Sequence, residues 1–123
     1  MKNYFSEAEL ACQHCGKYQF ADEFLYILNV IREECGFPLP VTSGYRCPDH
    51  PIEAAKRAAG KPMGAHSRGL AVDLAADRSR AHRLLEVALK QGIPRIGIKQ
   101  SGDGRFIHLD IDTSLPSPTI WSY

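Results

Sequence analysis

The stretch Leu70-Ala71-Val72-Asp73-Leu74 sets a carboxylate inside an apolar run that reads as a buried strand. Burying an ionised aspartate among such neighbours costs several kcal/mol unless a cation neutralises it. The chain must therefore fold so that a positive group meets Asp73. Just upstream, His66 sits in the Gly-rich turn Gly64-Ala65-His66-Ser67-Arg68-Gly69, which brings an imidazole back beside the strand.

A second segment offers matching chemistry. In Phe106-Ile107-His108-Leu109-Asp110, strand alternation puts Phe106, His108 and Asp110 on one face. If the two strands are neighbours, His66, Asp73 and His108 converge. Two imidazoles and one carboxylate leave a fourth position open on a tetrahedral Zn²⁺, the pattern of a catalytic rather than a structural site. The competing reading pairs Asp73 with Arg46 or Arg68 and makes each histidine an ordinary core residue.

The rest of the chain frames these segments. A length of 123 residues is that of one domain with its own core. A net charge of +1 gives no electrostatic case for nucleic acid or an anionic membrane. No apolar stretch approaches the roughly 20 residues of a membrane span. The opening segment has one lysine and no apolar h-region, so the expectation is a soluble chain made in the cytoplasm with no visible signal peptide.

Ser6 with Glu9 has the form of a capping box and starts a short helix that ends before Gly16. Phe24, Leu25, Ile27, Leu28 and Ile31 fall at helical spacing within 21–34, with Asp22 a possible cap and Gly36 and Pro38 ending the helix. Pro40 to Arg46 reads as a short strand running into a loop, and residues 47–65 as a long binding loop or lid with a helical stretch at Glu53–Ala59. A second clear helix, capped by Asp77 or Ser79, ends at Gly92. Two strands, Arg95–Ile98 and Arg105–Ile111, flank the hairpin turn Ser101–Gly104. The tail, Leu115–Tyr123, reads as a surface segment with Trp121 packed back on the body. The expected class is α+β, a small antiparallel sheet with flanking helices.

Cys12, Cys15, Cys35 and Cys47 read as free thiols or metal ligands rather than disulfides in a cytoplasmic chain. Cys12-Gln13-His14-Cys15 has zinc-knuckle spacing, but no second C-x-x-C follows. Cys47 and His50 could complete a set, and the preferred reading is a small turn whose cysteines pack or pair together.

Taken together, the motifs resemble the zinc D-alanyl-D-alanine peptidase family of the M15 type, whose fold is shared with the Hedgehog signalling domain. His66-Ser67-Arg68-Gly69-Leu70-Ala71-Val72-Asp73 is similar to the family's H-x-x-G-x-A-x-D motif. Ser43-Gly44-Tyr45-Arg46 resembles its S-G-Y-R motif, and Phe106-Ile107-His108-Leu109-Asp110 the F-x-H-x-D strand of its short bacterial and phage branch. The opening, Phe5-Ser6 with Glu9, Leu10 and Cys12, resembles that branch too.

The resemblance implies that His66, Asp73 and His108 hold zinc. It implies that Arg46 grips a substrate carboxylate or carbonyl oxygen, with Ser43 and Tyr45 helping to position substrate. The implied reaction is hydrolysis of peptidoglycan stem peptides, by a DD-carboxypeptidase or an endolysin-type endopeptidase, with a zinc-activated water. A non-catalytic zinc-binding module of the same fold is the alternative. A monomer is expected, acting at the cell wall or periplasm after release through a holin.

Two positions depart from the family pattern. Where other members carry a glutamate or histidine base before the last ligand, this chain has Arg105 and Phe106. Asp110 is the nearest carboxylate, as base or as a group orienting a ligand imidazole, and Asp103 and His50 are the other choices. Gly64 stands where serine often precedes the motif histidine.

Overall fold

A computed structural model describes residues 2–123 and contains a five-stranded sheet packed on two long helices. Short helix α1 (Glu7–Leu10) has the expected capping box: Ser6 Oγ accepts from the Glu9 N–H, and Glu9 accepts from the Ser6 N–H. Helix α2 (Asp22–Cys35) starts from Ala21 rather than Asp22 and ends where Gly36 adopts φ +78. Its Phe24, Leu28 and Ile31 are fully buried.

Strand β1 (Val41–Ser43) precedes α3 (Pro51–Ala58), whose N-terminus is capped by His50, with Nδ1 accepting from the Ile52 N–H. A single 3₁₀ turn, Ala65–Arg68, leads into β2 (Ala71–Ala75). Helix α4 (Arg78–Lys90) follows with Asp77 at its cap position, although that carboxylate makes no cap hydrogen bond and meets Arg78 instead. Strands β3 (Arg95–Lys99) and β4 (Phe106–Asp110) form the expected hairpin, and β5 (Thr119–Ser122) ends the fold.

The strand order is β1-β2-β4-β3-β5. Val72 and Leu74 of β2, Ile96 of β3, and Ile107 and Leu109 of β4 turn one face toward Leu84 and Val87 of α4 and Leu28 and Ile31 of α2, forming the core. The α+β class stands. The sheet is mixed rather than wholly antiparallel, because β5 runs parallel to β3. The physical reason lies in strand neighbours. β4 is already flanked by β2 and β3, so the returning tail takes the free edge of β3. The tail is thus an edge strand, with Trp121 folded onto the sheet. No helix among the described residues is long and apolar enough to cross a membrane.

Candidate metal centre

Cross-strand register lays out the chemistry as rows on the sheet face opposite the core. Ser43 pairs with Asp73, Asp73 with His108, His108 with Gly97, and Gly97 with Trp121. Two residues along each strand, Ala71 pairs with Asp110, Asp110 with Arg95, and Arg95 with Thr119. Alternate residues share a face, so both rows belong to one surface. His66 joins from outside the sheet on the 3₁₀ turn. Gly69 closes that turn at φ +70, and a Cβ there would meet the Gln19 carbonyl oxygen at 2.4 Å, which leaves glycine as the fitting residue.

These rows floor a cleft of about 570 Å³ whose walls include Arg46, His50, Lys56 and Tyr123. His66, Asp73 and His108 are all buried, and one ligand atom from each lies within 4.8 Å of the others.

The hydrogen bonds fix which atoms face one another. His66 Nδ1 lies 2.8 Å from the Gly44 carbonyl oxygen, which can only accept, so Nδ1 carries the proton and Nε2 keeps its lone pair. That Nε2 is 3.4 Å from Asp73 Oδ1. His108 Nε2 lies 2.7 Å from Asp110 Oδ2, while its Nδ1 lies 2.9 Å from Asp73 Oδ1. Both ring nitrogens thus face carboxylates, which favours the doubly protonated ring; with a cation at Asp73, Asp110 would keep the proton on Nε2 and leave Nδ1 as the ligand atom. An imidazole whose far nitrogen is anchored by a carboxylate or a carbonyl is a prepared metal ligand. The donor set of two imidazole nitrogens and one carboxylate oxygen fits a divalent zinc ion, with an open coordination position.

Charge supports the same arrangement. Burial pushes the Asp73 carboxyl up, but His108 and His66 outweigh it and hold the group below the usual carboxylate range. Burial lowers His66 against the pull of Asp73, which favours its neutral ring. Burial also acts to lower His108, but Asp110 and Asp73 prevail and raise it. Arg46 Nη2 reaches Asp73 Oδ2 at 3.3 Å, and its Nε donates to Ser43 Oγ at 3.0 Å. Asp73 thus meets both the arginine and the two histidines, so the two readings of its partner are not exclusive. Arg68 is committed elsewhere, to Asp112.

Not every residue expected at the site reaches it. Ser43 and Arg46 line the cleft, but Tyr45 does not: its ring is buried against Cys12 and Cys47 on the far side of the loop. Strand β1 ends at Ser43, so the alternation that would put Tyr45 on the side of Ser43 stops there, and the apolar ring takes the buried side. Asp103 lies in a separate hollow with Pro38 and Asp77. Asp110 is present, but its carboxylate is saturated by His108, by Arg95 at 2.9 Å and by the Asp112 N–H at 3.1 Å. His50 lines the cleft, and its Nδ1 is occupied by the α3 cap, which leaves Nε2 available.

Three residues emerge only from the fold. Arg95 anchors Asp110 from the neighbouring strand. Lys56 enters the cleft beside Gly64, where an added Cβ would meet its Nζ at 2.7 Å. Trp121 lies over Gly97, with its ring centroid 5.2 Å from that of His108. A missing side chain at Gly97 and an indole one strand away are matching signals, legible only once β3 and β5 are known to pair.

No curated protein and no solved structure matches the chain. The family model described as Peptidase M15 matches residues 3–110, a span that contains Arg46, His66, Asp73, His108 and Asp110 and stops short of Trp121. With 3–110 taking in most of its 123 residues, the chain belongs to the Peptidase M15 family.

Proposed function

We propose that this chain is a zinc-dependent peptidase that cleaves the stem peptides of peptidoglycan, as a DD-carboxypeptidase or an endopeptidase, acting as a monomer at the cell wall. The observation that carries the reading is the convergence of His66 Nε2, Asp73 Oδ1 and His108 Nδ1 at the floor of a cleft that also holds a guanidinium. Zinc bound there supplies Lewis-acid polarisation of the scissile carbonyl and acidifies water.

The chain's own residues supply the rest. Arg46, with Nε and Nη2 already oriented by Ser43 and Asp73, offers its planar fork to a terminal carboxylate or to charge growing on the carbonyl oxygen. Lys56, paired at 3.4 Å with the buried Glu53 carboxylate, also lines the cleft, and its ammonium can be shared with an anionic peptide terminus. His50 Nε2 takes the proton of the attacking water and returns it to the leaving amine. Asp110 holds His108 in register and takes no part in proton transfer. Trp121 and Tyr123 form an apolar wall along one side.

The test is mass analysis of muropeptides after digestion with zinc-loaded protein, beside His108→Ala and chelated controls. Loss of D-alanine or scission of a cross-bridge, abolished in both controls, is expected. Firmly bound zinc with no turnover on any stem peptide would mean a non-catalytic zinc module.

A further inference from the structure

A second group of metal-binding side chains lies outside the cleft. The turn Cys12-Gln13-His14-Cys15-Gly16 is closed by hydrogen bonds from Gly16 N to the Cys12 carbonyl (2.7 Å) and from Cys12 N to the Lys17 carbonyl (2.9 Å). Gly16 sits at φ +77, a conformation that suits glycine. The tight turn puts two thiols side by side. Cys47, directly after Arg46, comes from the other side, and the sulfurs of Cys12, Cys15 and Cys47 lie within 4.8 Å of one another. Cys35 is elsewhere, on α2.

His14, carried on the same turn, is the fourth donor within reach: it stands outside the group of mutually close sulfurs but meets one of them. Its Nδ1 lies 3.5 Å from Cys47 Sγ. In a tetrahedral zinc site, bond lengths of about 2.3 Å to sulfur and about 2.05 Å to nitrogen put those two atoms about 3.6 Å apart. The Cys47 N–H points at Cys12 Sγ from 3.3 Å, and such a donor favours a thiolate. His50 is not the fourth ligand, because its Nδ1 caps α3 and its ring lines the other cleft.

We propose that Cys12, Cys15, Cys47 and His14 hold a second zinc ion, a closed structural site distinct from the His66, Asp73 and His108 centre. Binding displaces the thiol protons and ties the N-terminal turn to the segment Ser43–Cys47. That segment carries Arg46 and the Gly44 carbonyl that orients His66, so the structural ion steadies the cleft from behind. Tyr45, buried in one cluster with Cys12 and Cys47, packs beside it.

The test is zinc content of protein purified under reducing conditions, with and without a His66→Ala/His108→Ala double substitution. Two zinc ions per chain are expected in the parent and one in the double variant. Loaded with cobalt, the double variant should show thiolate-to-cobalt charge-transfer absorption, lost in Cys15→Ser. Because Cys15 is exposed, that change is the mildest available, and the double variant keeps every cysteine should Cys15→Ser not fold. A metal-free double variant, cobalt bound without the charge-transfer band, or a mass showing a disulfide among the three thiols would each overturn the proposal. None of these outcomes depends on peptidase activity.

Discussion

Asp110 grips His108 from behind, with Oδ2 2.7 Å from Nε2, while the opposite ring nitrogen faces Asp73 at 2.9 Å. With a cation at Asp73 the pair would hold the tautomer that a metal needs, and Arg95 fixes Asp110 in turn. A group acting this way tunes affinity rather than chemistry. Asp110→Ala should weaken zinc binding about 10–100-fold, with activity largely restored at saturating zinc. Zinc titration followed by activity at each concentration separates the roles: unchanged affinity with activity lost at every zinc level would make Asp110 the base.

Gly97 and Trp121 make a comparable pair across β3 and β5. A Cβ at Gly97 would stand 2.6 Å from the indole Nε1, closer than atoms tolerate, and the obstruction is a ring rather than a flexible chain end. Gly97→Ala should lift Trp121 off His108 and open one wall of the cleft. The expected signs are a red-shifted tryptophan emission and a raised KM with zinc content unchanged. Since Trp121 is the sole tryptophan, its emission reports on this contact directly. An emission spectrum like the parent's would show that the indole stays seated.

Much of this architecture is legible in the sequence, and what is not shares a cause. Periodicity gives α2 and α4, an apolar run gives β2, alternation gives β4, and the buried charge of Asp73 demands a cation before any coordinates exist. Arg95 is invisible because an arginine at a strand end reads as a solvated residue until register places it opposite Asp110. Trp121 reads as a tail residue until β5 takes the free edge of β3. Tyr45 is misread because a motif gives residue types but not the side of the chain each one takes. His50 looks like loop chemistry, and its cap on α3 shows only in the fold. Each of these depends on long-range pairing, which local propensity does not encode.

Protonation should set stability when zinc is stripped by a chelator. The folded pKa of His108 is raised above its unfolded value of about 6.5. Its contribution is therefore fully present below about 6.5 and lost as pH rises through the folded value. His66 is lowered, so its contribution is present above about 6.5 and lost as pH falls toward its folded value. The stripped protein should melt highest near the crossover and lower on both sides. Zinc must displace the His108 proton, so the gap between loaded and stripped melting temperatures should widen as pH rises across that window. A gap independent of pH would mean that His108 is already neutral before the metal arrives.

His50 can be isolated from its structural duty. Its Nδ1 accepts the Ile52 N–H to cap α3, and loss of such a cap costs about 1 kcal/mol, so alanine would confound two effects. His50→Asn keeps a side-chain oxygen for the cap and removes the group that carries a proton. Burial and the nearby Arg46 charge lower the His50 pKa, so the ring is neutral, and able to accept, down to below about 6.5. The variant should keep its zinc and its melting temperature while kcat falls about 10²–10⁴-fold with little change in KM. The acid limb of the parent's pH–rate profile should vanish with it. A kcat near the parent's would remove His50 from proton transfer, and a drop in kcat with the acid limb intact would assign that limb to another group in the cleft.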